Sequence, residues 1–331
     1  MTRPRVGFLG VGWIGRHRME KMLETGAIDA VALCDPSPDM VRDALPLAPG
    51  ARIAESLDEL LALDLDGLVI ATPSALHAEQ SIAALDAGVA VFCQKPLGRN
   101  AAETERVVTA ARRADRLLGV DLSYRHTDAV QAIRKALAAG ELGRVFAADL
   151  TFHNAYGPGK PWFFDKALSG GGCVIDLGVH LVDLALWLLD FPAVDQVRSQ
   201  LFAGGSALAA DSDQVEDYAV ATLTLASGVV VRVACSWNLH AGKPAEIGAC
   251  LYGTKGGAAF RNVDGSFYDF VGEIHRGTDS RRVSEAPDDW GGRASAAWAR
   301  RLAEDKKFDP DCAQLVGLAQ VLDGIYSAAG T

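Results

Sequence analysis

Residues 5–15 read RVGFLGVGWIG, an apolar run followed by glycines at positions 10, 12 and 15. The pattern predicts a buried strand, a tight turn and the start of a helix. The first glycine permits the turn, the second lets the main chain approach a ligand, and the third lets helix and strand pack closely. Because the free N–H groups of a helix start attract negative charge, the stretch predicts a site for a dinucleotide diphosphate.

An acidic residue follows where such a site needs one. Asp35 ends the next apolar run, AVALCD at residues 30–35. A carboxylate there accepts hydrogen bonds from the adenosine ribose and repels a 2′-phosphate. The sequence therefore predicts NAD as the cofactor, in preference to NADP. The alternative interpretation is a glycine-rich turn and an unrelated acid at a strand end.

The first 120 residues alternate strand-like and helix-like segments. Further strand-like runs lie at residues 66–72, 89–95 and 117–122, with a weaker one at 52–54. Segments with capping-box spacing, SLDE at 56–59 and NAAE at 100–103, predict helix starts. This alternation predicts an α/β fold with a parallel, doubly wound sheet, a Rossmann dinucleotide-binding domain at residues 1–123.

From residue 124 onwards the pattern changes. We expect helices at 127–139 and 309–329, a strand at 144–154 and a polar surface loop at 276–296. Runs with a period of two predict antiparallel strands, and they lie at 215–227, 228–240 and 246–260. Residues 124–331 are therefore predicted to form an α+β domain with a large, open-faced, mostly antiparallel sheet.

Residues 169–190, SGGGCVIDLGVHLVDLALWLLD, predict a long apolar helix that carries three ionisable side chains. In a regular helix, at about 100° per residue, Asp176, His180 and Asp183 fall within about 60° of one another. Such a polar stripe is either a satisfied network in the core or the floor of an active site. Charged residues interrupt the apolar run too often for a membrane span.

The composition argues against several classes of partner. The chain has 331 residues, 49% of them hydrophobic, and a formal net charge of −10 without a run of lysine or arginine. Nucleic acid and anionic membranes are therefore not expected as partners. The six cysteines form no CxxC pair, which is typical of free thiols in a cytoplasmic protein. The N-terminal apolar run is too short and too rich in glycine for a signal peptide.

Three further segments complete a resemblance to a known family. They are ATPSALHAE at 71–79, QKPLGRN at 94–100 and GGGCVIDLGVH at 170–180. Together with the glycine turn they resemble the glucose–fructose oxidoreductase/inositol dehydrogenase family, written Gfo/Idh/MocA. The resemblance implies a Rossmann domain, then a substrate-binding domain whose sheet forms homodimers or homotetramers. It also implies NAD(P)-linked oxidation of a secondary alcohol of a sugar or cyclitol, or the reverse reduction.

The resemblance also assigns residues to roles. The catalytic residues are expected to be Lys95, Asp176 and His180, with His180 as the base and Lys95 stabilising the alkoxide. Cofactor contacts are expected at Gly10, Gly12, Trp13, Ile14, Gly15, Asp35, Thr72, Pro73, His77, Gln94 and Lys95. Substrate contacts are expected at Lys95, Arg125, His153, Trp162, Asp176, His180, Asp183, Trp237 and His240.

One residue departs from the family pattern. The family usually has glutamate before the lysine, and here Gln94 removes that negative charge from beside Lys95. The Lys95–Pro96 peptide is a candidate for the cis form. Two other functions remain open: epimerisation or glycoside cleavage through transient oxidation, and a non-catalytic, sugar-responsive regulator. No metal is expected, because His153, Asp176, His180 and His240 include no HxxxH or HExxH pair.

Overall fold

The computed structural model of the chain describes residues 2–209 and 212–329, which form two compact units. The first unit comprises Met1–Asp121 and Gly292–Val316, and the second comprises Leu122–Gly291 and Gly317–Thr331. The division after Asp121 lies close to the predicted boundary at 123. The return of residues 292–316 to the first unit has no counterpart in the predicted domains.

A six-stranded parallel sheet forms the centre of the first unit. Its strands are β1 Arg5–Leu9, β2 Asp29–Cys34, β3 Arg52–Ile53, β4 Gly67–Ile70, β5 Ala90–Cys93 and β6 Leu118–Val120. The strand order is β3-β2-β1-β4-β5-β6, with every neighbouring pair parallel. The order reverses between β1 and β4, the point at which open α/β sheets bind ligands at the carboxyl ends of their strands. The predicted Rossmann sheet is confirmed.

Helices alternate with these strands along the chain. They are α1 Trp13–Glu24, α2 Pro38–Ala44, α3 Leu57–Leu61, α4 Ser74–Asp86 and α5 Ala101–Ala114. Two helices begin at the predicted capping residues. The side chain of Ser56 accepts a hydrogen bond from Glu59 N at the start of α3, and that of Asn100 accepts one from Glu103 N at the start of α5.

Apolar side chains fill both faces of the parallel sheet. Successive residues of a strand point to opposite faces, so β4 contributes to two clusters. Val69 packs in the same cluster as Met22 of α1. Ile70 packs in the cluster that contains Leu85 of α4 and Val107 of α5. Burial on both faces explains why these strands read as continuous apolar runs.

A nine-stranded sheet forms the second unit. Its strands are β7 Val145–Asn154, β8 Val194–Ala203, β9 Ser206–Ala207, β10 Tyr218–Leu225, β11 Val230–Ser236, β12 Ala245–Gly253, β13 Gly257–Asn262, β14 Phe270–Arg276 and β15 Asp279–Ser284. Their order is β15-β14-β13-β12-β7-β11-β10-β8-β9, and β7 with β11 is the parallel pair. The predicted mostly antiparallel sheet is confirmed. The predicted loop at 276–296 is wrong at β15, an edge strand of polar, mostly exposed residues.

The helical elements of the second unit include α6 Asp128–Ala138, α7 Lys166–Ser169, a π-helical turn Val174–Gly178 and α8 Val179–Leu188. The predicted continuous helix at 169–190 is wrong. Gly170 has a φ of +89° and ends α7. A Cβ on Gly172 would lie 2.0 Å from the carbonyl oxygen of Glu216, so only glycine fits there. Because a π turn is wider than an α turn, the regular spacing assumed for Asp176 does not apply.

Two helices close the chain, α9 Arg293–Glu304 and α10 Ala313–Ser327. Helix α9 belongs to the first unit and begins inside the predicted loop at 276–296. Its Trp298 packs on Phe92 of β5, with ring centroids 5.7 Å apart. Cβ atoms on Gly67 and Gly119 would lie within 2.7 Å of the indole, so these strand glycines make room for it. Short 3₁₀ turns occupy Leu45–Leu47, Ser123–His126, Pro161–Phe164 and Pro310–Cys312.

One stretch in the described part of the chain, Lys166–Leu188, is long and apolar enough to be a candidate membrane span, with a mean hydropathy of 1.6. Gly170 interrupts its helix, and 83% of its most apolar window is buried inside the protein. Both features are those of a core segment.

Candidate active site

The turn after β1 requires its glycines. Gly10 has a φ of +84°, and a Cβ there would lie 2.6 Å from the carbonyl oxygen of Ala71. A Cβ on Gly15 would lie 2.1 Å from the carbonyl oxygen of Gly10. Both contacts are with main chain, which cannot move aside cheaply. The tight turn predicted for the first glycine and the close packing predicted for the third are both present.

Gly12 differs from the other two glycines, because a Cβ there would meet nothing within 4 Å. Gly12 is the N-cap of α1, so no side chain caps this helix, and the first turn carries no acidic residue. Ile14 is half-buried, and Trp13 is 64% exposed and stacks on His17. Open space beside a helix start with free N–H groups suits an anionic group. These residues therefore fit the diphosphate of a dinucleotide.

Asp35 is held in one orientation at the end of β2. Its Oδ2 accepts a hydrogen bond from Val11 N at 2.8 Å, and its Oδ1 accepts one from Ser37 N at 2.9 Å. Each carboxylate oxygen has a second lone pair. The side chain is half-buried, so both oxygens can still accept hydrogen bonds from ribose hydroxyls. The local geometry fits the predicted role.

The loop after β4 is fixed by a buried histidine. His77 Nδ1 lies 2.6 Å from the carbonyl oxygen of Pro96, and its Nε2 lies 2.7 Å from that of Thr72. Burial lowers the pKa of His77, against the two carbonyl oxygens, which raise it. Both ring nitrogens face main chain, so His77 sets the spacing of two loops. Thr72 Oγ1 donates to Gln80 Oε1, and Pro73 caps α4.

The signature lysine follows β5. Lys95 is half-buried, and the Lys95–Pro96 peptide is cis. Gln94, 8% exposed, donates from Nε2 to Asp121 Oδ2 at 2.7 Å. Arg18 Nε donates to the same oxygen at 2.6 Å. The amide of Gln94 is therefore held by a buried carboxylate that the sequence pattern did not single out.

In the second unit, Asp176 and His180 are both partly exposed. Trp237 Nε1 donates to Asp176 Oδ2 at 3.1 Å. The ring of His180 packs edge-on against Tyr124, with centroids 4.9 Å apart. Trp237 is 3% exposed and thus orients the carboxylate from within the core. Asp176, in the π turn, is thus held by a hydrogen bond, whereas His180, in α8, packs against an aromatic ring.

Two residues predicted to bind substrate form an ion pair with each other. Arg125 Nε donates to Asp183 Oδ2 at 2.8 Å, and Arg125 Nη2 donates to Asp183 Oδ1. Asp183 is 2% exposed, and burial raises its pKa although Arg125 acts in the opposite direction. Asp183 therefore forms an internal ion pair, as in the core-network interpretation of the predicted polar stripe, and its contact with substrate stays a prediction.

The remaining candidates lie apart in the second unit. His153 Nδ1 lies 2.9 Å from Ser236 Oγ, and its ring stacks on Tyr218. Trp162 stacks on Phe163 at a centroid distance of 3.9 Å, and His240 is exposed. Within residues 2–209 and 212–329, no group of three His, Cys, Asp or Glu side chains has the arrangement of a metal site. The described contacts bring none of His153, Trp162 and His240 together.

Residues 4–122 match a family described as "Oxidoreductase family, NAD-binding Rossmann fold", and residues 130–259 match the "GFO/IDH/MocA C-terminal domain". The inositol 2-dehydrogenase of Acidiphilium cryptum (strain JF-5) is 30% identical over 241 residues, 72% of this chain and 68% of that protein. The chain belongs to the GFO/IDH/MocA family. It is therefore an oxidoreductase with a nicotinamide cofactor.

Other GFO/IDH/MocA relatives extend this result. The 1,5-anhydro-D-fructose reductase of Ensifer adhaerens is 33% identical over 211 residues, which are 63% of this chain and 61% of that protein. A levoglucosan dehydrogenase solved with NADH and levoglucosan has a TM-score of 0.85. It is 22% identical and covers 99% of this chain and 97% of its own. At that identity the likeness supports the fold.

The departure at position 94 has a local cause in this GFO/IDH/MocA chain. A glutamate in place of Gln94 would bring a second carboxylate against Asp121, which already faces the amide at 2.7 Å. The side chain at position 94 thus contacts the carboxyl group of Asp121, which comes after β6. The sequence pattern did not indicate it, because an acid at a strand end is too common a feature to single out.

Glu216 is a second functional candidate that the sequence did not indicate. It is 2% exposed and accepts hydrogen bonds from Gly172 N at 3.0 Å, Val174 N at 2.8 Å and the Tyr326 hydroxyl at 2.8 Å. Burial raises its pKa. Glu216 therefore fixes the glycine-rich segment that leads into the π turn, which carries Asp176.

Proposed function

We propose that this chain is an NAD-dependent dehydrogenase that interconverts a secondary alcohol and a ketone on a sugar, a sugar derivative or a cyclitol. The open helix start at Gly12, between two close-packed glycines, carries the cofactor part of the proposal. The substrate class is supported by the names of relatives, an inositol 2-dehydrogenase and a 1,5-anhydro-D-fructose reductase. The reaction belongs to the class that acts on CH–OH donors.

The first unit would hold the cofactor. The N–H groups at the start of α1 would bind the diphosphate, and Asp35 would accept the adenosine ribose hydroxyls. A fixed carboxylate at that point repels a 2′-phosphate, which favours NAD over NADP. Bound nicotinamide supplies the hydride acceptor, or the donor in reduction.

The protein must also handle a proton and a developing charge. In oxidation, we assign His180 to take the hydroxyl proton, because imidazole titrates near neutral pH. The ammonium of Lys95 donates a hydrogen bond to the reacting oxygen and stabilises negative charge there. Asp176, held by the indole of Trp237, binds the substrate or tunes its charged neighbours. In reduction, His180 returns the proton.

The second unit is proposed to bind the substrate and to form a homodimer or homotetramer through its sheet. Strands β7, β10, β11 and β12 lie side by side at its centre. Their exposed side chains include the apolar Phe146, Val230 and Tyr252, and half-buried threonines such as Thr151 and Thr222 lie on the same strands. An exposed apolar surface of this kind can pack against a second copy. Analytical ultracentrifugation tests this, and a monomer at micromolar concentration would contradict it.

The catalytic assignment is tested by Lys95→Ala and His180→Ala. Each variant should lower turnover by about 10²–10⁴-fold, the range typical of general acid–base and electrostatic groups. NADH should still bind to both, because the diphosphate contacts lie elsewhere. Near-normal turnover in either variant would remove that residue from the mechanism. Loss of NADH binding in both would mean that the changes act on the cofactor site.

A further inference from the structure

Three polar side chains meet inside the first unit, and we call them the Asp121 cluster. Asp121 follows β6, Gln94 follows β5 and Arg18 lies on α1. Asp121 Oδ2 accepts hydrogen bonds from Arg18 Nε at 2.6 Å and from Gln94 Nε2 at 2.7 Å. Asp121 is 1% exposed, Arg18 7% and Gln94 8%. A polar group this deeply buried is costly to the fold unless its hydrogen bonds are satisfied, as they are here.

The carboxylate determines which way the Gln94 amide faces. A carboxylate only accepts hydrogen bonds, whereas an amide has one donating end and one accepting end. Because the NH₂ end is bound to Asp121, the carbonyl Oε1 points away from it. The opposite orientation would set two oxygens against each other without a proton between them. The residue beside Lys95 therefore presents an acceptor in one fixed orientation.

The same geometry restricts position 94 to a neutral side chain. A glutamate there would lie against the carboxyl group of Asp121, which already binds the guanidinium of Arg18. Two buried carboxylates at hydrogen-bond distance do not both ionise, so they share a proton and the pKa of the pair rises. The neutral amide of Gln94 is oriented by Asp121 and adds no second negative charge.

The Asp121 cluster also contacts the helix that begins at the glycine turn. Arg18 lies in α1, and its guanidinium lies 2.7 Å from His17 Nδ1. His17 in turn stacks on the exposed Trp13, with ring centroids 6.4 Å apart. One buried carboxylate is therefore connected both to the proposed diphosphate helix and to the residue before Lys95.

We propose that Asp121 is a positioning residue for the nicotinamide cofactor. It fixes the Gln94 amide so that Oε1 accepts a hydrogen bond from the bound nucleotide, and it requires that residue 94 be neutral. Asp121 acts through Gln94 and touches neither cofactor nor substrate. The proposal rests on the function proposed above, because it concerns the same site.

A double-mutant cycle tests this coupling with NADH as the probe. Fluorescence titration should show that Gln94→Glu and Asp121→Asn each weaken NADH binding, by about tenfold for the glutamate variant at pH 8. The double variant should return to within about threefold of the original affinity, because the new asparagine amide can donate to the new glutamate carboxylate. Gln196→Glu, the same change at an exposed position of β8, is the matched control and should leave binding unchanged.

Thermal unfolding supplies a second readout that does not need the cofactor. In Gln94→Glu the shared proton raises the folded-state pKa of the pair above its unfolded value. The stability of this variant relative to the original chain is therefore highest at low pH, and it falls as the pH rises through the raised pKa. Adding Asp121→Asn should abolish this pH dependence. If Gln94→Glu is unfolded at pH 8, titration at about pH 5.5 measures its affinity instead.

Two results would overturn the positioning role. One is a double variant that binds NADH more weakly than either single variant. The other is a Gln94→Glu chain that binds NADH and unfolds as the original does at every pH. If the original chain itself fails to bind NADH, the proposed function fails, and the unfolding cycle between positions 94 and 121 still decides whether the two residues are coupled.

Discussion

Each unit of this protein contains a deeply buried arginine–aspartate pair, and the two pairs are built differently. In the first unit, Arg18 and Asp121 have side chains that are 9% and 1% exposed. In the second, the side chains of Arg125 and Asp183 are 19% and 2% exposed. Both pairs join a guanidinium to a carboxylate, but the other side chains that contact each pair differ.

The pair in the second unit is closed. Arg125 binds both oxygens of Asp183, and its guanidinium lies over the rings of Trp187 and Phe191, at 5.9 and 5.3 Å. The pair in the first unit is open, because Asp121 also accepts from Gln94. A closed pair stabilises its unit, whereas an open one can also orient a third group. Burial of an ion pair does not by itself indicate a functional role.

The largest effect should come from breaking the closed pair. Arg125→Met removes the cation and leaves Asp183 buried without it, which should lower the free energy of unfolding by about 3–5 kcal/mol. Adding Asp183→Leu should recover most of that loss, because no buried charge remains. Urea unfolding of both variants measures the difference. A loss below about 1 kcal/mol for Arg125→Met would mean that water reaches the pair.

Local patterns predicted the first unit well, and the cofactor turn best. The spacing of Gly10, Gly12 and Gly15 determines local geometry, so the strand, turn and helix follow from the sequence. Elements without periodicity were missed: β15 is polar and lies at an edge, and α9 begins within a segment that looked like a loop. The helix predicted at 169–190 was wrong because a π turn cannot be read from hydrophobic spacing.

The site residues divide in the same way. Asp35 could be predicted as a ribose ligand because its distance from the glycines is characteristic. Asp121 and Glu216 were missed because their partners are distant in sequence: Arg18 lies 103 residues from Asp121, and Tyr326 lies 110 residues from Glu216. Arg125 and Asp183 looked like substrate ligands because each is a charged residue near a motif. Only the folded chain places them against each other.

A smaller effect is expected when each aspartate is replaced by asparagine, and it should distinguish Asp183 from Asp121 by NADH affinity. Asp183→Asn should lower the free energy of unfolding by about 1–3 kcal/mol, since the bidentate contact with Arg125 is weakened. It should leave NADH affinity within about twofold, because the pair is closed. Asp121→Asn should change NADH affinity as well. Fluorescence titration of both asparagine variants, with unfolding measured alongside, makes the comparison. Equal effects on NADH affinity would remove the distinction between open and closed pairs.

The smallest effect concerns Glu216, a buried acid that pairs with no arginine in the described part of the chain. Burial raises its pKa above the unfolded value, so its contribution to stability is present at low pH and is lost as the pH rises through the folded-state pKa. The difference in unfolding free energy between the original chain and Glu216→Gln should therefore fall as the pH rises from about 4.5 to 8. Melting curves over that range measure it. A difference that grows with pH would contradict the assigned direction.

The most direct test of the account is whether oxidation of a sugar or cyclitol releases NADH in proportion to the ketone formed. The purified chain would be screened against cyclitols, aldoses, uronic acids and amino sugars with NAD and with NADP, and both products would be quantified. We expect one mole of NADH per mole of ketone, faster reaction with NAD than with NADP, and loss of both products in Lys95→Ala. Substrate conversion without NADH release would indicate transient oxidation instead. NAD binding without conversion of any substrate would contradict the dehydrogenase and favour a regulator.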